Sequence, residues 1–278
     1  MNQSIVAVDL GGTNIRAGIF IENRIIDQRS ARLQDQYSLP RTLLQVKDLI
    51  RPLLGTSPKG IGIGVPAVVD IQGGVVFNAT NIPSWIKVPL KDILLKEFGV
   101  PVVINNDVNC FILGEHRFGS AKGFNSVVGL ASGTGLGCGV IIDNRLYCGR
   151  NCGAGEIGLI PYRDKNIEYY CSGKFFEGLY GSNAYQAHQD ALAGNKEARS
   201  HWETFGEHFG HAIQVVAYAY DPEVIVIGGS LSKAYPLFEE SMRRTFVHFE
   251  FPESIKNLQI YQSLDENMML LGAAALVE

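Results

Sequence analysis

Ile5-Val6-Ala7-Val8-Asp9-Leu10-Gly11-Gly12-Thr13-Asn14-Ile15-Arg16-Ala17-Gly18-Ile19-Phe20-Ile21 reads as a strand, a tight glycine turn and a second strand. Two adjacent glycines let backbone N–H groups approach an anion without interference from a Cβ, and Thr13 adds a hydroxyl donor. Asp9 closes the first strand and is suited to hold a hydrated Mg²⁺ through water, because hard cations take carboxylate oxygen and keep much of their hydration. Gly-Gly alone is common in plain hairpins. The acid before the turn and the threonine within it are what point to a ligand.

The same device returns in Ser126-Val127-Val128-Gly129-Leu130-Ala131-Ser132-Gly133-Thr134-Gly135-Leu136-Gly137-Cys138-Gly139-Val140-Ile141-Ile142. Its recurrence about one domain length later predicts an α/β chain of two duplicated lobes with a cleft between them. The phosphates of a nucleotide held there would meet backbone donors from Gly11, Gly12 and Thr13 on one side and Gly133, Thr134 and Gly135 on the other. Neither turn is a Walker A loop. The Gly173-Lys174 pair is followed by Phe175 and has Glu168 where that motif wants glycine.

Between the two turns, Arg24 to Leu33 predicts a third, more polar strand. Leu43, Val46, Ile50 and Leu53 have helical spacing, with Pro40 at the helix start and Pro52 near its end. Lys59 to Ala67 returns to the sheet. Gly62, Gly64 and Ala67 match a dinucleotide fingerprint in form, but Pro66 interrupts it and no helical pattern follows. Gly73-Gly74 marks a hairpin over Asp70 to Ala79. Thr80-Asn81-Ile82-Pro83-Ser84-Trp85 is a loop whose mixture of amide, hydroxyl and aromatic groups suits a sugar, although Trp85 serves equally well as a core anchor. A helix is expected over Leu90 to Phe98.

Ile104-Asn105-Asn106-Asp107-Val108-Asn109-Cys110 then places Asp107 where the apolar run Val102-Val103-Ile104 ends and a helix begins. Open α/β sheets put their chemistry at such strand ends. A carboxylate held there among amide side chains can take the proton of a bound hydroxyl, while Asn and Asp are also ordinary helix caps. Further on, Glu156 stands alone in a loop of small residues from Gly149 to Gly158, which favours a ligand contact over packing. Helices are expected at Ser172 to Tyr180, Ala184 to Leu192 and Trp202 to Tyr220. His201, His208 and His211 read as polar-face residues of the last of these, their spacing matching no metal motif. Glu223 to Leu231 is a buried strand opening on Gly228-Gly229, where backbone can approach a nucleoside. Ser232 to Phe249 reads as a helix, Leu258 to Tyr261 as a strand and Met268 to Val277 as a terminal helix.

Composition excludes several classes of function. The 278 residues are 46% hydrophobic and 19% charged with a formal charge of -4, which offers no basic stripe to nucleic acid. No apolar run approaches the roughly 20 residues that span a bilayer. Met1 to Ser4 lead straight into the first strand without the marks of a signal peptide, so a cytoplasmic location is expected. Five cysteines without paired spacing argue for reduced thiols.

Taken in order, the Asp9-Leu-Gly-Gly-Thr-Asn turn, the Asn81-Ile-Pro-Ser-Trp loop, Asn106-Asp107, the Gly133-Thr-Gly-Leu-Gly-Cys-Gly run, the Ala154-Gly-Glu-Ile-Gly loop and Ile227-Gly-Gly resemble the ROK family of sugar kinases and related repressors, within the actin-like ATPase superfamily. The resemblance runs nearly end to end. It implies a two-lobed actin-like ATPase (ribonuclease H-like) fold of duplicated βββαβαβα lobes, one of residues 1-108 plus 265-278 and the other of 109-264. It implies Asp107 as general base, with Thr80, Asn81, Asn106, Glu156 and Glu168 binding sugar. It places ATP on Asp9, Gly11, Gly12, Thr13, Asn14, Gly133, Thr134, Gly135, Gly228 and Gly229, and Mg²⁺ at Asp9. A homodimer whose partners are a small sugar and ATP is implied as well, with neither nucleic acid nor membrane.

Two departures from the family pattern matter. Leu159 stands where the family carries a zinc-holding histidine, and Tyr162 to Glu168 contains no cysteine, so no structural zinc is expected and the identity of the hexose is left open. The repressor branch places a DNA-binding domain ahead of the phosphate turn, and only eight residues precede Asp9 here. A non-catalytic sugar sensor remains an alternative on the same scaffold. An actin-like chaperone or filament ATPase fits less well, because Asn106-Asp107 and Glu156 resemble a sugar pocket.

Overall fold

The computed structural model describes residues 4–55 and 58–278. The reading of Met1 to Gln3 lies outside the described residues. In chain order the first elements are β1 (Ile5–Leu10), β2 (Asn14–Ile21), β3 (Arg24–Arg32), α1 (Leu39–Ile50), β4 (Ile61–Val65), β5 (Val68–Asp70), β6 (Val75–Phe77), β7 (Lys87–Val88), α2 (Leu90–Phe98), β8 (Val102–Asn106) and α3 (Asp107–Phe118). There follow β9 (Val127–Ser132), β10 (Leu136–Ile142), β11 (Arg145–Leu146), β12 (Pro161–Tyr162), β13 (Lys165–Asn166), α4 (Ile167–Tyr170), α5 (Gly173–Tyr180), α6 (Ala184–Leu192) and α7 (Lys196–Tyr220). The chain closes with β14 (Val224–Gly228), α8 (Tyr235–Arg244), α9 (Pro252–Asn257), β15 (Gln259–Gln262) and α10 (Met268–Ala275).

The chain divides into two compact units. The first comprises Met1–Gly123, Leu146–Ala154 and Asp265–Glu278, and its main sheet has the order β3-β2-β1-β4-β8. β1 is antiparallel to β2 and parallel to β4, which is parallel to β8. Every residue of β1 is buried, as a nearly continuous apolar run requires of a central strand, while the polar β3 takes the edge. Asp9 is paired with Gly64, and Gly64 with Asn105, so three neighbouring strands end side by side.

The glycines of β4 have a packing reason. A Cβ on Gly62 would run into the backbone of Ala273 in α10, and one on Gly64 would lie 3.3 Å from the Cα of Asp107. They admit helices to the sheet, which accounts for the formal dinucleotide match. α3 and α10 cross through glycine in the same way, Gly114 facing the Met268 carbonyl and Gly272 the Cys110 carbonyl. The first unit therefore keeps α3 and runs to Gly123, where the sequence places a lobe boundary after Val108.

The second unit comprises Phe124–Arg145 and Gly155–Leu264. Its sheet, β11-β10-β9-β14-β15, repeats the order of the first, with β9 antiparallel to β10 and parallel to β14, and β14 parallel to β15. Trp202, Phe205 and Phe209 of α7 pack with Phe175, Phe176 and Phe238 into an aromatic core on this sheet. His208 lies in that core at 3% exposure, bonded to the Tyr162 hydroxyl at 3.1 Å and packed on Tyr170. This corrects the polar-face reading of His208: a neutral imidazole ring fills space among aromatics when its nitrogen is satisfied. Burial accordingly pushes its pKa down to about 4.

Two helices differ in extent from expectation. α7 begins at Lys196, six residues ahead of the expected start at Trp202, because Asn195 caps it through the N–H groups of Glu197 and Ala198. The helix expected over Ser232 to Phe249 is instead a 3-10 turn at Ser230–Ala234, then α8, then a 3-10 turn at Thr245–His248. Pro236 sits in the first turn of α8, where its missing N–H costs nothing. Trp85 resolves as a core residue: it is fully buried, and its indole N–H donates to the Thr42 hydroxyl at 2.7 Å.

Candidate active site

In the first unit, the turn after β1 is closed by the Gly11 N–H donating to the Asn14 carbonyl at 2.8 Å. Thr13 and Asn14 are exposed at its tip. A Cβ on Gly12 would lie 2.5 Å from that of Asn81 and 2.9 Å from the Thr80 carbonyl, so only glycine lets the turn abut this loop. The loop is fixed in turn by the Thr80 N–H donating to Pro66 and by a left-handed Asn81, with φ at 63°. Asp9 is buried to 8% exposure, and Arg16 directs both Nε and Nη2 to its Oδ2 at 3.0 and 2.7 Å.

At the end of β8, Asn106 is the helix cap: its Oδ1 accepts the N–H groups of Val108 and Asn109 at 2.9 and 3.2 Å. Its Nδ2 donates to Ala67. Asp107 is thus not needed as the cap and stands half-buried at the first position of α3, its Oδ1 accepting the Val108 N–H at 2.9 Å. The positive end of the helix favours a negative group there. Behind this pair, the buried Asn105 Oδ1 accepts from the Asn106 N–H and from Asn109 Nδ2. One end of the sheet therefore gathers Asp9, Gly11, Gly12, Thr80, Asn81, Asn106 and Asp107.

In the second unit, the Gly133 N–H donates to the Gly135 carbonyl at 2.9 Å, and the Gly133 carbonyl accepts from Gly173 at 2.8 Å. Thr134 is exposed at the tip. Glu168 lies against this turn. Its Oε2 accepts the Leu136 N–H at 3.1 Å, a Cβ on Gly135 would fall 2.6 Å from it, and its Oε1 is paired with Lys174. Gly229, with φ at 82°, packs on the backbone of Ser132, bringing the Gly228-Gly229 turn beside Gly133. Glu156 precedes the 3-10 turn Ile157–Leu159. Partial burial, and then the negative charge of Glu168, raise its carboxyl above the ordinary range. Leu159 is 60% exposed. Among the described residues, no group of three or more His, Cys, Asp or Glu is placed to hold a metal ion.

Arg16, Asn105, Asn109 and Lys174 were missing from the sequence-based site. Arg16 could have been found, because a strand-turn-strand with four residues in the turn pairs it with Asp9. Lys174 depends on how α5 meets the β9-β10 turn, which no local spacing reveals.

Two units with one strand order, each led by a hairpin with an exposed threonine in its glycine turn, define an α/β protein of the actin-like ATPase sugar-kinase fold. The chain belongs to the ROK family, whose model matches residues 5–278. It is 28% identical to the glucokinase of Thermotoga maritima over 313 residues, covering 99% of this chain and 97% of that protein. It is 32% identical to the N-acetyl-D-glucosamine kinase of Yersinia pseudotuberculosis, over 86% of this chain and 88% of that protein. Among solved structures, the ROK glucokinase of Streptomyces griseus in complex with glucose and AMPPNP superposes with a TM-score of 0.83 at 27% identity, covering 98% of both chains.

Proposed function

We propose that this protein transfers the γ-phosphoryl group of ATP to a hydroxyl of a hexose, with the 6-OH of glucose as first candidate. The observation that carries the reading is the start of α3: the Asn106 oxygen caps the helix, and the half-buried Asp107 carboxylate stands at its first residue, a position that suits an ionised base. Similarity to a glucokinase and to an N-acetylglucosamine kinase supports a sugar acceptor.

In this reading the Asp107 carboxylate accepts the proton of the attacking hydroxyl as the oxygen approaches phosphorus. Phosphoryl transfer otherwise asks mainly for positioning and neutralisation of charge. Gly11, Gly12, Thr13 and Asn14 with Gly133, Thr134 and Gly135 supply N–H and hydroxyl donors to phosphate oxygens, and Gly228-Gly229 lets backbone approach the nucleoside. Thr80, Asn81, Asn106, Glu156 and Glu168 bind sugar hydroxyls. Asn106 has only its amide N–H groups for this, since its oxygen is spent on the cap. Asp9 fits a hydrated Mg²⁺, because both Arg16 donors go to Oδ2 and leave Oδ1 outside that fork. When bound, the ion would neutralise phosphate charge. A cytoplasmic homodimer completes the proposal.

ADP release measured against a panel of glucose, mannose, fructose, allose and N-acetyl sugars tests the reading. Release that depends on one of these sugars is expected. Sugar binding without ADP release from any of them would make the protein a regulator and refute the kinase assignment.

A further inference from the structure

Behind the Asn106-Asp107 turn, the loop Leu146–Ala154 of the first unit brings two thiols together. They are Cys148 and Cys152, whose sulfurs share the same side-chain partners. Both touch the amides that hold the turn: Asn105 Nδ2 and Asn109 Nδ2 each donate to Cys148 Sγ at 3.6 Å, Asn109 Nδ2 also to Cys152 Sγ at 3.7 Å, and the Cys152 thiol reaches Asn105 Oδ1 at 3.5 Å. The loop is held by the Ala154 N–H donating to the Cys148 carbonyl at 3.2 Å, and it carries Cys152 in a left-handed conformation with φ at 56°. Cys148 is partly exposed and Cys152 buried.

We propose that Cys148 and Cys152 are a reversible thiol–disulfide pair, oxidised by small-molecule disulfides, whose state sets how firmly Asn105 and Asn109 hold the Asn106-Asp107 turn. Cys148, the accessible sulfur, gives up its proton to solvent and attacks a small disulfide, and one thiolate leaves. Cys152 then displaces the second thiolate from the mixed disulfide. Two S–H bonds and one S–S bond break, one protein S–S bond forms, and two small thiols carry away the protons and two electrons. Oxidation withdraws both sulfurs from the asparagines. Cys110 is fully buried, its thiol pushed well up, and has no part in the exchange.

The test uses the full chain with oxidised glutathione and needs no assumption about kinase activity. Denaturing thiol titration should fall from five to three, peptide mapping should recover a Cys148–Cys152 bridge, and dithiothreitol should restore all five. Cys148→Ser should keep its four thiols without a bridge, and Cys152→Ser should stop at Cys148 joined to glutathione, with three thiols left free. Amide exchange at Val108 and Asn109 should quicken about tenfold on oxidation, the scale of a weakened cap. In the wild type, five thiols persisting, a bridge to Cys110, stable attachment of glutathione, or unchanged exchange would each overturn the proposal.

Discussion

Asn106 and Asp107 are adjacent and chemically alike, yet they sit differently: the Asn106 oxygen caps α3 through Val108 and Asn109, while Asp107 is the first residue of the helix, with its Oδ1 on the Val108 N–H. From sequence, either could have been the cap. What decides is backbone geometry: Asn106 has extended dihedrals of -62° and 146°, as a cap requires, and the helix starts after it. Trp85 was similarly ambiguous, since a loop aromatic serves a sugar or a core equally well, and only burial separates the two. Trp85→Phe should lower stability by about 1–3 kcal/mol through loss of its bond to buried Thr42, read by denaturant unfolding, with hexose affinity unchanged. Glu156 gives a pH prediction. Its raised carboxyl favours the neutral form in the folded protein, so the stability it contributes is fully present below the ordinary glutamate pKa of about 4.3 and is lost as pH rises through the folded value. Glu156→Gln should therefore melt higher than wild type at neutral pH, with the gap closing below about pH 4, while hexose binding weakens.

At the scale of elements, strands and helices with strong periodicity were legible: α2 occupies the expected Leu90 to Phe98, and both glycine hairpins form where the apolar runs place them. The short pieces β11, β12, β13, α4 and α9 were not, because two to six residues carry too little periodicity to stand out. The start of α7 was missed for a different reason: its first turns are polar and only the Asn195 cap marks them. Asn195→Ala should cost about 1 kcal/mol of stability by chemical denaturation, with no change in ligand affinity. The crossing of α3 and α10 was also hidden, since a glycine in a helix does not announce what lies against it. Gly272→Val forces side-chain atoms onto the Cys110 carbonyl and should destabilise by about 1–3 kcal/mol or more, visible as a fall in the unfolding midpoint.

For the whole molecule, the recurrence of the hairpin device was the most legible feature, and the two sheets that contain the copies share one strand order. Where each compact unit ends was less so. The loop Leu146–Ala154 and the helix α10 return to the first unit from distant parts of the sequence, and tertiary packing alone determines that. In the proposed kinase one carboxylate takes the hydroxyl proton, and the most direct test is Asp107→Asn, a substitution that keeps shape and removes the base. Hexose affinity by calorimetry should stay within a few fold of wild type while hexose-dependent ADP release falls by about 10²–10⁴-fold, the usual worth of general-base catalysis. Release near the wild-type rate at undiminished sugar affinity would contradict the assignment of Asp107.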